Sequence, residues 1–132
     1  MHARLIRMAR NILPRAERYH APVNQKEISQ VESIAIYIAQ NYRNPIKISD
    51  IGKAVGLHPD HANAIFRKAF GRTLTEYITE ERISHAQRAL LTTEKNITEI
   101  AFESGFNTIS RFNAAFRKIS ACTPREFKRQ YR

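Results

Sequence analysis

The stretch Ile48-Ser49-Asp50-Ile51-Gly52 is answered about fifty residues later by Ile97-Thr98-Glu99-Ile100-Ala101, and Gly56-Leu57 by Gly105-Phe106. The match continues: Phe66-Arg67-Lys68 followed by Thr73, Glu76 and Tyr77 returns as Phe116-Arg117-Lys118 followed by Thr123, Glu126 and Phe127. One physical unit is used twice. Each copy reads as a short helix, a turn containing Gly, and a second helix with apolar residues on one face and polar residues on the other. That is the pattern of a helix-turn-helix, and two in tandem suggest a reader of two DNA segments.

Working outward, the chain has 132 residues, enough for one domain or two very small ones. Lys and Arg number 22 against 12 acids, a formal net charge of +10 that favours a polyanionic partner. Nucleic acid leads, with an anionic membrane surface as the rival. No apolar run approaches the roughly 18 residues of a membrane span, and the start lacks the pattern of a secretory signal. A single cysteine, Cys122, excludes an internal disulfide and a multi-Cys zinc site, and makes a reducing cytoplasm the natural setting. Gly is scarce, Pro is rare, and apolar residues recur at three and four rather than two, so an all-α fold is expected.

Residues 1–26 read as a basic linker or N-terminal extension. Arg4, Arg7, Arg10, Arg15 and Arg18 interrupt Leu5, Ile6, Met8, Ala9, Ile12 and Leu13, a strip that is more often a solvated linker or docking segment than a DNA arm. From Glu27, a supporting helix places Ile28, Val31, Ile34, Ala35, Ile38 and Tyr42 on one stripe before Asn44-Pro45 stops it.

The first helix-turn-helix subdomain spans 27–72. Ile51 and Val55 face inward, Gly56 makes the turn and Leu57 anchors its far side. Pro59 suits a first helical turn, Ala62, Ile65 and Phe66 form the buried stripe, and Asp60, His61, Asn63, Ala64 and Arg67 point outward. Gly71 ends that helix, and Thr73-x-x-Glu76 is a capping box opening a long linker helix over 73–91, with Tyr77, Ile78, Ile83, Ala86 and Leu90 as contacts. About eighteen residues at 1.5 Å each reach about 27 Å, the scale of one turn of B-DNA.

The second subdomain spans 92–132. Asn96 and Glu99 repeat the capping pattern, and Ile100, Phe106, Phe112 and Phe116 are the anchors. Outward contacts must then come from Asn107, Thr108, Ile109, Ser110, Arg111, Asn113 and Ala114. Nine residues separate Gly from Phe in the first copy and ten in the second, so the two recognition helices are expected to present different faces. Thr123-Pro124-Arg125-Glu126 caps a terminal helix carrying Phe127 and Tyr131.

Together with Arg82-Ile83-x-x-Ala86-x-x-Leu90-Leu91, these motifs resemble the DNA-binding domain of the AraC/XylS family of bacterial transcription regulators, over about residues 28 to 131. The resemblance implies a seven-helix fold whose two helix-turn-helix subdomains, joined by the long helix, enter successive major-groove faces. It also implies that Asp60, Asn63 and Ala64, and Ile109, Ser110, Arg111 and Ala114, lie where base edges can be reached. Three positions depart from the family pattern. Lys47 sits where a good cap is expected, Gly52 replaces Ala, and Ala121 replaces Gly at a site whose positive φ would cost Ala about 1 kcal/mol. Several family members carry an effector-binding or dimerising domain ahead of this one; this chain is either a stand-alone short regulator or part of a longer protein.

The full DNA-facing set is Asp60, His61, Asn63, Ala64, Arg67, Thr108, Ile109, Ser110, Arg111, Asn113, Ala114 and Lys118. Arg111 matches guanine O6 and N7 bidentately, with a phosphate contact or internal ion pair as equal rivals. Asn63 could take adenine N6 and N7, or contact backbone and water instead. Asp60 accepts from cytosine or repels phosphate, and Ile109 and Ala64 touch thymine methyls or are plain surface. Some of Arg67, Lys68, Arg117 and Lys118 meet phosphate while the others stay solvated. Arg82 is expected to pair with a carboxylate. His58 and His61 lie three apart without a Cys or carboxylate partner, so no metal site or cofactor is expected, and Cys122 reads as an inert thiol. Neither a Gly-rich phosphate loop nor a catalytic triad order is present, and an enzyme is not expected.

The expected function is a sequence-specific promoter-binding transcription regulator, an activator that positions RNA polymerase and grips each site as a monomer. Alternatives are a nonspecific architectural DNA-binding protein and a membrane-surface or protein-interaction module built on the basic start.

Overall fold

The computed structural model describes residues 24–132; the basic strip around Leu5 to Leu13 lies outside them. Seven helices and no strand occur among the described residues. They are α1 (Gln25–Asn41), α2 (Ile48–Val55), α3 (Pro59–Phe70), α4 (Leu74–Thr92), α5 (Ile97–Glu103), α6 (Ile109–Ser120) and α7 (Pro124–Tyr131). They fall into two compact units. The first holds the described residues up to Gln40 with Ile46–Tyr77, and the second holds Asn41–Pro45 with Ile78–Arg132.

In the first unit, α1 buries Val31, Ile34 and Ile38, while Ile28, expected on the same stripe, is 41% exposed. The buried stripe thus begins one turn after the helix does. At the start of α2, Lys47 cannot accept a hydrogen bond through its ammonium. Only half of the reciprocal cap forms there, with the Lys47 N–H donating to Asp50 Oδ2 at 2.8 Å. Gly52 is buried against the following turn: a Cβ there would lie 2.6 Å from the Leu57 carbonyl oxygen and 3.3 Å from Pro59 N. The departure from Ala at this position is therefore a fit to a close backbone approach. Ala62, Ile65 and Phe66 of α3 are buried, and Phe66 stacks on Phe70 at 4.5 Å and meets Tyr77 edge-on at 5.0 Å. Each fully buried side chain of this size contributes roughly 1.5–3 kcal/mol. The Thr73 and Glu76 box forms in both directions, at 2.8 and 3.1 Å, and opens α4.

The second unit closes around Ile83, Ala86 and Leu90 of α4, Ile100 and Ala101 of α5, and a run of aromatic rings. Phe106 meets Phe112, Phe112 meets Phe116, and Phe116 meets Phe127, with centroids 5.4 to 5.6 Å apart. The reciprocal boxes Asn96/Glu99 and Thr123/Glu126 open α5 and α7. Arg82 is half-buried, and its acceptors are main-chain carbonyls where a carboxylate was expected: Nε donates to Tyr42 O at 2.6 Å and Nη2 to Asn44 O at 2.9 Å. A guanidinium holds its charge when buried, and its fixed fork suits two carbonyls in a loop as well as it suits a carboxylate. Arg43 Nε donates to Glu103 O at 2.7 Å, fastening the same loop to the end of α5. Beside it, the Tyr42 hydroxyl lies 3.1 Å from His85 Nδ1. Burial, then the charges of Arg43 and Arg88, push the His85 imidazole below its ordinary value and so favour the neutral ring.

Ala121 closes α6 with φ 62°, the one non-glycine in the left-handed region among the described residues. Ala121→Gly is expected to stabilise the protein by about 1 kcal/mol, and Gly52→Ala to destabilise it by about 1–3 kcal/mol. Urea unfolding of the two variants checks both signs. His85 generates a second expectation. Because the folded state holds it below 6.5, the unfolded chain protonates first as pH falls. Its contribution to stability is whole above about 6.5 and is lost below, so His85→Gln should flatten the acid side of the urea midpoint against pH.

Candidate nucleic-acid interface

The helices α3 and α6 are each 12 residues long and follow extended caps at His58 and Thr108. Before the turn the two copies repeat at a spacing of 49, pairing Ile51 with Ile100 and Gly56 with Gly105; from the caps onward the spacing is 50. The extra residue is absorbed before the helix begins. In the first copy Gly56 itself caps α2 in the left-handed region, whereas in the second Ser104 is right-handed and Gly105 follows at φ 109°. The expectation of different faces is therefore corrected. Counting from Gly measured the turn, while a helix takes its register from its cap and its buried side chains. Ala62 and Phe66 are buried as Phe112 and Phe116 are, and Asp60, His61, Ala64, Arg67 and Lys68 are exposed as Ser110, Arg111, Ala114, Arg117 and Lys118 are. The two faces are equivalent in position and different in chemistry.

On the first unit, Asp60, Asn63, Ala64, Arg67 and Lys68 line one open, shallow depression, with His61 exposed beside it. His58 holds the start of α3, its Nδ1 accepting the Asp60 N–H at 3.2 Å. The same Nδ1 lies 3.9 Å from the Asp60 carboxylate, and with both side chains exposed that contact contributes little beside the cap. Asn63 is half-buried, and its Oδ1 accepts the Leu74 N–H at 2.9 Å. Lys68 reaches Glu27 at 3.7 Å, a solvated pair that contributes little.

On the second unit, Ser110, Arg111, Asn113, Ala114 and Lys118 are exposed along α6, and Asn107 is exposed in the turn before it. Among the described residues no carboxylate pairs with Arg111. Thr108 is the cap of α6, its Oγ1 accepting the Arg111 N–H at 3.1 Å. Ile109 is half-buried and packs on the aromatic core. At the other end, buried Gln87 donates to Ser120 Oγ at 2.8 Å and so holds the last turn of α6. From Arg111 to Arg132 seven basic residues accompany one acid, Glu126, which makes this end strongly electropositive. Cys122 is half-buried, and burial together with Glu126 pushes its thiol up, away from the reactive thiolate. No described helix is long and apolar enough to cross a membrane.

A family model for a helix-turn-helix domain matches residues 51–130, from within α2 to within α7. The chain belongs to the AraC/XylS family. It is 34% identical to the melibiose operon regulatory protein of Escherichia coli over 93 residues, which are 70% of this chain and 31% of that protein. The chain thus spans about a third of that relative's length. An AraC-type transcriptional regulator from Chromobacterium violaceum superposes with a TM-score of 0.74 at 25% identity, covering 81% of this chain and 96% of that one. The DNA-binding domain of AdpA, solved with a target DNA, shares the fold with a TM-score of 0.73 at 18% identity, over 77% of this chain and 92% of that one. The seven-helix tandem is thus an AraC-type DNA-binding domain.

Thr108→Ala removes the side-chain cap of α6 and should cost about 1 kcal/mol of stability, read from urea unfolding; an unchanged midpoint would contradict the capping role.

Proposed function

We propose that this protein is a sequence-specific regulator that reads promoter DNA with α3 and α6 in two adjacent major-groove segments. The observation that carries this reading is the pair of equivalent exposed faces bearing unequal side chains. Equal placement suits the same task, and unequal chemistry suits two different base sequences. The contacting set is Asp60, His61, Ala64 and Arg67 on the first unit, with Asn63 beside them tied to the Leu74 N–H, and Thr108, Ile109, Ser110, Arg111, Asn113, Ala114 and Lys118 on the second. Arg111, exposed and without a carboxylate partner, is suited to guanine O6 and N7. Lys118 and Arg67, near the C-terminal ends of their helices, are suited to phosphate.

In this reading residues 27–132 form the DNA-binding domain, with 27–72 and 92–132 as the two readers, 73–91 as the spacer, and 1–26 as a basic extension. The protein acts in the cytoplasm as an activator that positions RNA polymerase. An upstream effector domain in a longer protein fits the melibiose regulator, of which the matched segment makes up 31%. The second reading, a nonspecific architectural protein, draws on the basic surplus between Arg111 and Arg132.

Selection from random duplex DNA separates the two. The first reading expects an asymmetric site with two conserved segments about 10 bp apart and no palindrome. No enrichment would favour the charge-driven alternative, and recovery of symmetric half-sites alone would count against a monomeric grip. On the selected site, Arg111→Ala should lower discrimination at one base pair by about 1–3 kcal/mol, while Lys118→Ala should weaken all sequences alike and flatten the salt dependence.

A further inference from the structure

The caps align α3 with α6 at a spacing of 50, which makes Asn63 and Asn113 the same position in the two copies, and Leu74 and Pro124 the same position in the helices that follow. Here the copies differ in one atom that matters. Leu74, the first residue of α4, has a backbone N–H with no partner inside its own helix, and it donates to Asn63 Oδ1 at 2.9 Å. Pro124, the first residue of α7, has no N–H to offer. Asn113 accordingly has no such task. It is exposed, and among the described residues no group takes its carboxamide.

We infer that the two equivalent asparagines divide the work: Asn63 is a positioning residue that ties α3 to the start of α4, and Asn113 is a specificity-determining residue that offers its whole carboxamide to a base pair. The inference rests on the proposed reading of promoter DNA. Bidentate recognition of adenine needs an amide oxygen to accept from N6 and an amide nitrogen to donate to N7. The Asn63 oxygen is half-buried and already engaged, so a base in its segment meets Ala64 and Asp60 first. Asn113 meets no such constraint, because a proline ring has replaced the donor that would turn it inward. Proline at the first position of α7 thereby costs the helix nothing and releases a side chain for the groove.

The test is binding of the full chain to its selected duplex and to every single-base-pair variant of it, together with thermal unfolding. Asn113→Ala should lower discrimination at one base pair in the second segment by roughly tenfold and leave the unfolding midpoint in place. Asn63→Ala should weaken binding to all variants by a common factor and lower the midpoint, and Asn63→Asp, which keeps an acceptor for the Leu74 N–H, should restore the midpoint. Pro124→Ala returns an N–H to the second copy. It should draw Asn113 inward and reduce discrimination at the Asn113 base pair without altering that side chain. A loss confined to one base pair in Asn63→Ala, or an unchanged profile in Asn113→Ala, overturns the assignment while leaving the reading of promoter DNA standing. A wild-type profile that is flat across all variants overturns that reading and the assignment with it.

Discussion

What α3 and α6 expose follows from the burial of one pair of side chains a turn apart on each. Ala62 with Phe66, and Phe112 with Phe116, have no exposed surface, and residues four apart lie on the same face of a helix. Once that stripe is buried, the opposite face is decided. It falls on Asp60, His61, Ala64, Arg67 and Lys68 in one copy and on their equivalents fifty residues on in the other. Rotating either helix by one residue would pull a phenylalanine into water and put a charged group in the core, a change of several kcal/mol. The exposed chemistry is thus free to vary, while its placement is not.

What the chain announces in advance is what depends on near neighbours. The boxes Thr73/Glu76, Asn96/Glu99 and Thr123/Glu126 are local, since each partner lies three residues from the other, and all three form. The left-handed closures at Gly56 and Gly71 are local too, as is the strain at Ala121 that its place in the repeat foretells. Legibility ends where a side chain answers a distant stretch of backbone. The acceptors of Arg82 are the carbonyls of Tyr42 and Asn44, some forty positions away, and carbonyls are present at every residue, so no pattern marks them. Nothing near Gly52 in the sequence marks the Leu57 carbonyl oxygen that occupies the space a Cβ would take. The expectation that α3 and α6 present different faces fails for a related reason: the interval from Gly105 to Phe116 sums a turn and a helix, and only Thr108 says where one becomes the other. The tie from Asn63 to Leu74 was legible in principle, because Leu74 and Pro124 differ visibly at the same point of the repeat.

The candidate site was therefore readable as positions on one side of each helix, of which Asn63 and Ile109 are half-buried and the others exposed, and unreadable as a set of roles. His58 and Thr108 both serve as caps, and Ile109 leans into the core. Such side chains shape the surface that its neighbours present. The copies also differ in charge, with basic residues concentrated from Arg111 onward and acids interleaved among the bases of the first unit. A duplicated fold has kept its buried face and let its caps, its charges and its free amides diverge.

The most direct test of this account is methylation protection of guanine N7 on the selected duplex, since N7 lies on the floor of the major groove. The account predicts protection in two segments about 10 bp apart, one of which returns to full reactivity when Arg111 is replaced and the other of which does not. Protection confined to one segment, or a pattern of contacts restricted to the phosphate backbone, would contradict it.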